Sequence, residues 1–248
     1  MSWIHLLWYC LAIAAPFIYW NGDAEWILIF GNVAKVFSLL VCGLSLTITQ
    51  SEYSTEDTPQ KAWTNLAVGM WLWFFAQIIF AYYKLVLRQS PYPSIADIFF
   101  AIGYLPLIIG VVFLIKDFKS TGLPMGTRSS YVIQTIVLLI LYGIIFATLM
   151  WPLIVSKDPI GAKFLNVGYP TCDFIMVSLT SVLVRISWGL RGGSLARSWL
   201  LLCIGFTLLG LTDITFAYRA DPRLDVLFFS SYFLIALAGV YQVRMVRQ

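Results

Sequence analysis

Five ionisable residues lie within otherwise apolar stretches of the chain: Lys35, Asp97, Asp173, Asp213 and Asp225, with Gln77 and Gln134 as uncharged polar companions. A charge in such a setting is costly to desolvate, so each is a candidate for function. Four carboxylates around one ammonium suit a cationic or zwitterionic small molecule, or a response to protons. Tyr104, Tyr169 and Tyr232 lie close by in sequence and can supply hydroxyl donors. The candidate ligand-binding set is therefore Lys35, Gln77, Asp97, Tyr104, Tyr169, Asp173, Asp213, Asp225 and Tyr232. A structural role is open for the same groups. Asp97 follows Pro93-Ser94 and Asp225 follows Pro222-Arg223, which places both in first helical turns, where a carboxylate caps free N–H groups and complements the helix dipole. Lys35 would then pair with Asp173 or Asp213 and hold two halves of the protein together. Pro170, before Asp173, either opens a helix or kinks one already begun.

Other chemistries lack their residues. There is no H-E-x-x-H, no G-x-S-x-G and no P-loop. His5 is the single histidine, so bis-histidine haem, copper sites and Ser–His pairs are not expected. Cys10, Cys42, Cys172 and Cys203 are scattered without a CxxC pair and read as small buried hydrophobes. The Arg191-Gly192-Gly193-Ser194 stretch has no strand–helix unit behind it, which argues against nucleotide binding. A retinal-bearing lysine is missing from the last apolar run, Leu224 to Tyr241. The expectation is a protein that is not an enzyme and carries no metal or cofactor.

The elements that hold these residues are apolar helices. Of 248 residues 60% are hydrophobic and 11% charged, whereas a soluble domain has roughly 25% charged residues; the mean hydropathy is +0.84. Apolar blocks of about twenty residues match the hydrocarbon thickness of a bilayer. Breaks at Asn21-Gly22-Asp23, Ser90-Pro91-Tyr92-Pro93, Gly122-Leu123-Pro124 and Arg191-Gly192-Gly193 help divide the chain into spans near 3–20, 26–49, 62–85, 94–115, 131–154, 165–188, 197–218 and 224–244. The fold class expected is all-α, a polytopic integral membrane protein of about eight transmembrane helices in one membrane domain, 1–248. The run from Trp3 to Trp20 has no basic flank or small-residue cleavage site and reads as a retained helix. Trp20, Trp26, Tyr82, Tyr83, Trp151 and Trp188 at span ends suit interfacial anchoring.

With the N-terminus inside, Lys61, Lys116, Lys119, Arg128, Arg185, Arg191, Arg197, Arg244 and Arg247 fall on the cytoplasmic side. Lys84, Arg88, Lys157, Lys163, Arg219 and Arg223 fall outside, so nine basic residues stand against six and both termini are expected in the cytoplasm. The net charge of +4 then reports this loop bias and not nucleic-acid binding. In that frame Lys35, Gln77, Asp97, Asp173, Asp213 and Asp225 all belong to the outer leaflet, and an outward-facing polar pocket follows.

The chain also repeats. Shifting the third span by 136 residues superposes Trp63, Leu66, Gly69 and Leu72 on Trp199, Leu202, Gly205 and Leu208, and Ile78, Phe80, Ala81 and Tyr82 on Ile214, Phe216, Ala217 and Tyr218. Gln77 then meets Asp213. At an offset of 128, Asp97, Phe100 and Tyr104 meet Asp225, Phe228 and Tyr232. The reading is two repeats of four spans, about 1–120 and 128–248, lying parallel because four is even.

The series Ala62-Trp63, Pro93-Ser94-Ile95-Ala96-Asp97-Ile98-Phe99-Phe100, Gly103-Tyr104, Gly168-Tyr169-Pro170 with Asp173, Thr212-Asp213 with Phe216-Ala217-Tyr218, and Asp225 with Ser231-Tyr232 resembles the multispan N-terminal sensory regions of bacterial diguanylate cyclases and related signalling proteins. In that family a cytoplasmic catalytic domain follows the last span. No cyclase, kinase or phosphodiesterase domain is expected to follow here, so the resemblance implies a sensor or input unit that passes its signal to a separate membrane or cytoplasmic partner. Its setting would be the inner membrane or another bacterial energy-transducing membrane, with the lipid bilayer as its solvent and a small molecule as its ligand. Two other readings compete. One is an accessory or structural subunit of a larger energy-transducing or photosynthetic complex, its aromatics (17% of residues) packed on lipids, pigments or other helices. The other is a small solute transporter.

Overall fold

The computed structural model describes residues 3–123, 125–189, 194–219 and 221–248. Pro124, the Arg191-Gly192-Gly193 breaker and the Trp188 side chain lie outside them. The described residues are helical almost throughout: α1 (Trp3–Asn21), α2 (Ala24–Ser51), α3 (Thr58–Leu85), α4 (Ile95–Ser120), α5 (Arg128–Ile145), α6 (Trp151–Val155), α7 (Ile160–Gly189), α8 (Ser194–Tyr218) and α9 (Asp225–Val246). A π turn, Phe146–Met150, joins α5 to α6, so that eight helical rods among the described residues are long and apolar enough to cross a membrane. The π turn directly precedes Trp151-Pro152, where proline has no N–H to give the preceding turn and the helix rewinds around the gap.

Local chemistry sets the ends. Asp23 caps α2 by accepting the Trp26 N–H at 2.9 Å. Pro59 sits in the first turn of α3, where its missing N–H costs nothing. A short 3-10 turn, Pro222–Leu224, leads into α9 and is itself capped by Asp221. The sixth rod starts at Ile160, earlier than expected, so Pro170 lies inside α7 and not at its opening.

Six helices close a ring in the order α2, α3, α4, α7, α8, α9 and back to α2. The apolar core runs through it, with Trp63, Phe206, Phe229 and Phe233 fully buried. Helices α1 and α5 stand outside. α1 lies against α9 and α2. α5 buries no residue of its own and holds to α7 by polar ties: Gln134 Nε2 donates to Ser181 Oγ at 2.7 Å, Tyr142 and Thr171 share a hydrogen bond of 3.1 Å, and the Arg185 guanidinium lies 3.2 Å over the Tyr131 ring. Exposed Ile133, Ile136, Leu139, Ile140 and Ile144 cover its outer faces.

Close crossings depend on glycine. A Cβ at Gly69 would lie 2.4 Å from Leu107 Cγ and 2.9 Å from the Gly103 carbonyl, so α3 and α4 touch there backbone to backbone. Likewise, a Cβ at Gly205 would lie 2.7 Å from Ile235 Cγ1 and 3.2 Å from the Ser231 carbonyl of α9. Trp20 and Trp26 are 88% and 64% exposed, in keeping with an anchoring role at the rods' ends.

Candidate ligand-binding site

The ring opens at the end of the bundle formed by the α1–α2, α3–α4, α6–α7 and α8–α9 connections, opposite the chain termini. A cavity of about 500 Å³ lies there. Lys35, Gln77, Asp97, Tyr104, Tyr169, Asp213 and Tyr232 line it, while Asp173 and Asp225 stand immediately behind the lining and hold residues that face it. The candidates expected from sequence therefore converge on one place. Gln134, expected at the other end, bonds Ser181 on the α5–α7 seam.

Lys35 comes from α2 and is buried. Its Nζ meets Asp225 Oδ1 at 2.6 Å, and the ammonium lies 5.7 Å from the Phe80 ring centre and 5.6 Å from that of Phe228. The partner is neither Asp173 nor Asp213, as the sequence suggested, because ring closure sets the first turn of α9 against α2. Nor does Asp225 cap its helix: α9 has no side-chain cap, and the carboxylate is spent on the lysine. Gly31, one turn before Lys35, leaves the room for it. Asp97 does act as the expected first-turn acid. It accepts the Ser94 N–H at 2.6 Å and the Ser94 hydroxyl at 2.8 Å in a capping box. Its other oxygen accepts the Tyr169 hydroxyl of α7 at 3.0 Å.

Tyr104 of α4 donates to Asp173 Oδ1 of α7 at 2.6 Å, in fully buried surroundings. The second oxygen of Asp173 is buried without a donor. α8 passes close to Asp173 at Gly210, where a Cβ would lie 2.9 Å from Asp173 Cβ, and Asp213, about one turn further along α8, lines the cavity. Gln77 is 4% exposed, lines the cavity, and its Nε2 has no acceptor.

Several lining residues carried no signal in the sequence. Trp73 donates its indole N–H to the Phe100 carbonyl at 2.9 Å and packs edge-on to Tyr104 with ring centres 5.0 Å apart. At the mouth, Tyr92 donates to Asn166 Oδ1 at 2.6 Å. Burial, then the nearby carboxylates of Asp97, Asp158 and Asp213, push the Tyr92 phenol up to about 12. Asp158, from the α6–α7 connection, adds a further carboxylate to the rim. Phe80, Phe100, Phe216 and Phe228 complete an aromatic wall.

In chemical terms the cavity is an acidic, aromatic-walled pocket whose one lysine is already neutralised. Among the described residues no three His, Cys, Asp or Glu side chains converge as a metal site. The four cysteines are free, Cys10 exposed, Cys42 buried, and Cys172 and Cys203 half-buried. The chain matches no protein-family model, no curated protein and no solved structure.

Proposed function

We propose that this chain is a non-enzymatic multi-pass membrane protein of sensory or input type, whose cavity takes a small molecule and whose helix packing relays that event to a partner protein. The observation that carries the reading is where the polar ties run. Lys35 and Asp225 join α2 to α9, while Asp97 with Tyr169 and Tyr104 with Asp173 join α4 to α7. Each tie crosses between the first half of the chain and the second, and each borders the cavity. Within the first half α3 and α4 meet at a glycine-tight apolar crossing, Gly69 on Leu107, and within the second α8 and α9 meet at another, Gly205 on Ile235. A molecule that competes for the polar ties changes how the halves sit on each other. The change is then available at the far end of the same rods.

Two parallel repeats fit this division. Gly69 meets Leu107 and the Gly103 carbonyl, and Gly205 meets Ile235 and the Ser231 carbonyl, which are the positions related by the offsets of 136 and 128. Trp63 and Trp199, related in the same way, are both buried with unpartnered indole N–H groups. The basic-residue bias supports both termini in the cytoplasm and the cavity outside, and the resemblance to bacterial sensory regions supports a bacterial inner or other energy-transducing membrane as the setting. The same polar seams suit the second reading, a small solute transporter.

Spin labels at Ile98→Cys on α4 and Phe164→Cys on α7, both exposed positions, report the seam directly in a background stripped of native cysteines. For the sensory reading, adding tyramine or choline to protein in nanodiscs shifts the distance distribution while liposomes take up neither compound. Steady uptake in liposomes transfers the case to the transporter. An unchanged seam and no uptake with tyramine, choline, ethylphenol and benzoate alike overturn both.

A further inference from the structure

We infer that the cavity is built for a small organic ammonium ion that also carries a hydrogen-bond acceptor, an amino alcohol or hydroxylated arylalkylamine in kind. The inference rests on the cavity being a ligand site, as proposed above, and adds the class of ligand.

Charge comes first. Among the described residues Lys35 is the one basic residue in the lining, and its ammonium is consumed by Asp225 at 2.6 Å. Against it, Asp97, Asp158 and Asp213 all face the cavity. Asp97 is satisfied by neutral donors only, from Ser94 and Tyr169. The interior is thus net acidic, and an anion entering it would lose its hydration with no free cation to receive it.

The wall is the second observation. Trp73, Phe80, Phe100, Phe216 and Phe228 bring ring faces and edges around the same space. Rings hold alkylammonium groups that are too weakly hydrated to prefer water, and the lysine already seated over Phe80 and Phe228 shows the arrangement within the protein itself. About 500 Å³ falls in the range of small-molecule sites and is far more than a bare inorganic cation needs.

Third, two buried groups in or beside the cavity have no partner among the described residues. Gln77 Nε2 is a donor without an acceptor, which calls for an oxygen on the ligand. Asp173 Oδ2 is an acceptor without a donor beside Asp213. An ammonium bound at Asp213 brings N–H or polarised C–H donors to this side of the cavity.

The test uses the full chain in lipid nanodiscs, following tryptophan fluorescence and thermal unfolding. Tyramine and choline are titrated beside their uncharged analogues ethylphenol and dimethylbutanol, with tetramethylammonium and benzoate included. The ammonium compounds should bind saturably and at least about tenfold more tightly than the uncharged ones. Asp213→Asn and the rim variant Asp158→Asn should each weaken the cations and leave the uncharged analogues unchanged. Asp158 lies in a connection, so its variant remains informative if Asp213→Asn fails to fold. Gln77→Leu should weaken choline several-fold and spare tetramethylammonium, which has no acceptor. Equal binding of charged and uncharged analogues, preference for benzoate, or cation binding indifferent to both aspartate variants overturns the ammonium assignment and leaves the ligand-site reading standing. If no compound of any charge binds, both fall together.

Discussion

The Asp225 carboxylate occupies the volume that a side chain at position 31 would fill: a Cβ on Gly31 would lie 1.9 Å from Asp225 Oδ2. The absence of that one carbon allows α9 to deliver a carboxylate to Lys35 on the next turn of α2. Both charges are nearly removed from solvent, at 8% and 7% side-chain exposure, so neither tolerates loss of the other.

Lys35→Met should therefore destabilise the fold by about 3–5 kcal/mol, because it leaves Asp225 buried and unpaired. Gly31→Ala should act in the same direction by pushing the carboxylate off its partner. Replacing both charges, Lys35→Met with Asp225→Leu, should recover most of the loss, since the desolvation cost leaves with the pair. Thermal or denaturant unfolding in detergent reads all three. A double variant no better than Lys35→Met would mean that the cost lies in packing and not in the orphaned charge.

The glycine crossings predict a matched pair of effects. Gly69→Ala and Gly205→Ala each insert a methyl against a neighbour closer than van der Waals contact, at 2.4 Å and 2.7 Å, and should each cost about 1–3 kcal/mol. Gly143→Ala, with nothing within 4 Å, should stay within about 0.5 kcal/mol of the native protein. Comparable losses at all three positions would deny the close approach of α3 to α4 and of α8 to α9.

At the opposite end of the bundle, Arg247 Nε and Nη2 donate to the two carboxylate oxygens of Glu52 at 3.0 Å and 2.5 Å. This hydrogen-bonded pairing, more than it is offset by desolvation, holds the Glu52 carboxyl below its ordinary 4.5. The folded value is the lower one, so the tie is fully present above pH 4.5 and is lost as pH falls through the folded value. Carbon-detected NMR of labelled glutamate should show the depressed midpoint in native protein, and Arg247→Gln should return it upward. An unchanged midpoint in that variant would deny the pairing.

Much of the fold was legible because apolar length and turn chemistry are local properties. Asn21-Gly22-Asp23 broke the chain where α1 ends and Asp23 caps α2. The polar candidates were equally visible, since a lysine or aspartate inside an apolar run stands out by cost alone. What stayed hidden was non-local. The partner of Lys35 depends on α9 closing the ring against α2, and nothing within either segment states which helices become neighbours. Trp73 looked like any other aromatic on a lipid- or core-facing helix, and Phe80 and Phe228 stood out only as repeat-related positions, so their place in the cavity wall left no mark. Asp158 and Asn166 sat in or near a polar connection and read as ordinary loop and helix-start residues. Pro170 fitted either a helix start or a helix already begun, and the choice depended on where the helix starts: α7 begins at Ile160 and carries the proline within it.

The central claim, an acidic cavity opening at the face away from the termini and between the two halves, is tested most directly by thiol access at Gln77→Cys in a background without native cysteines. Gln77 is 4% exposed and lies on the cavity lining, so lipid-facing chemistry does not reach it. Membrane-impermeant methanethiosulfonates of similar size but opposite charge, trimethylammonium-ethyl and sulfonatoethyl, are applied to intact cells and to inside-out vesicles. The account predicts modification from the outside only, with the cationic reagent faster than the anionic one by at least about tenfold. Modification only from the cytoplasmic side, faster reaction of the anion, or no reaction from either side would contradict it.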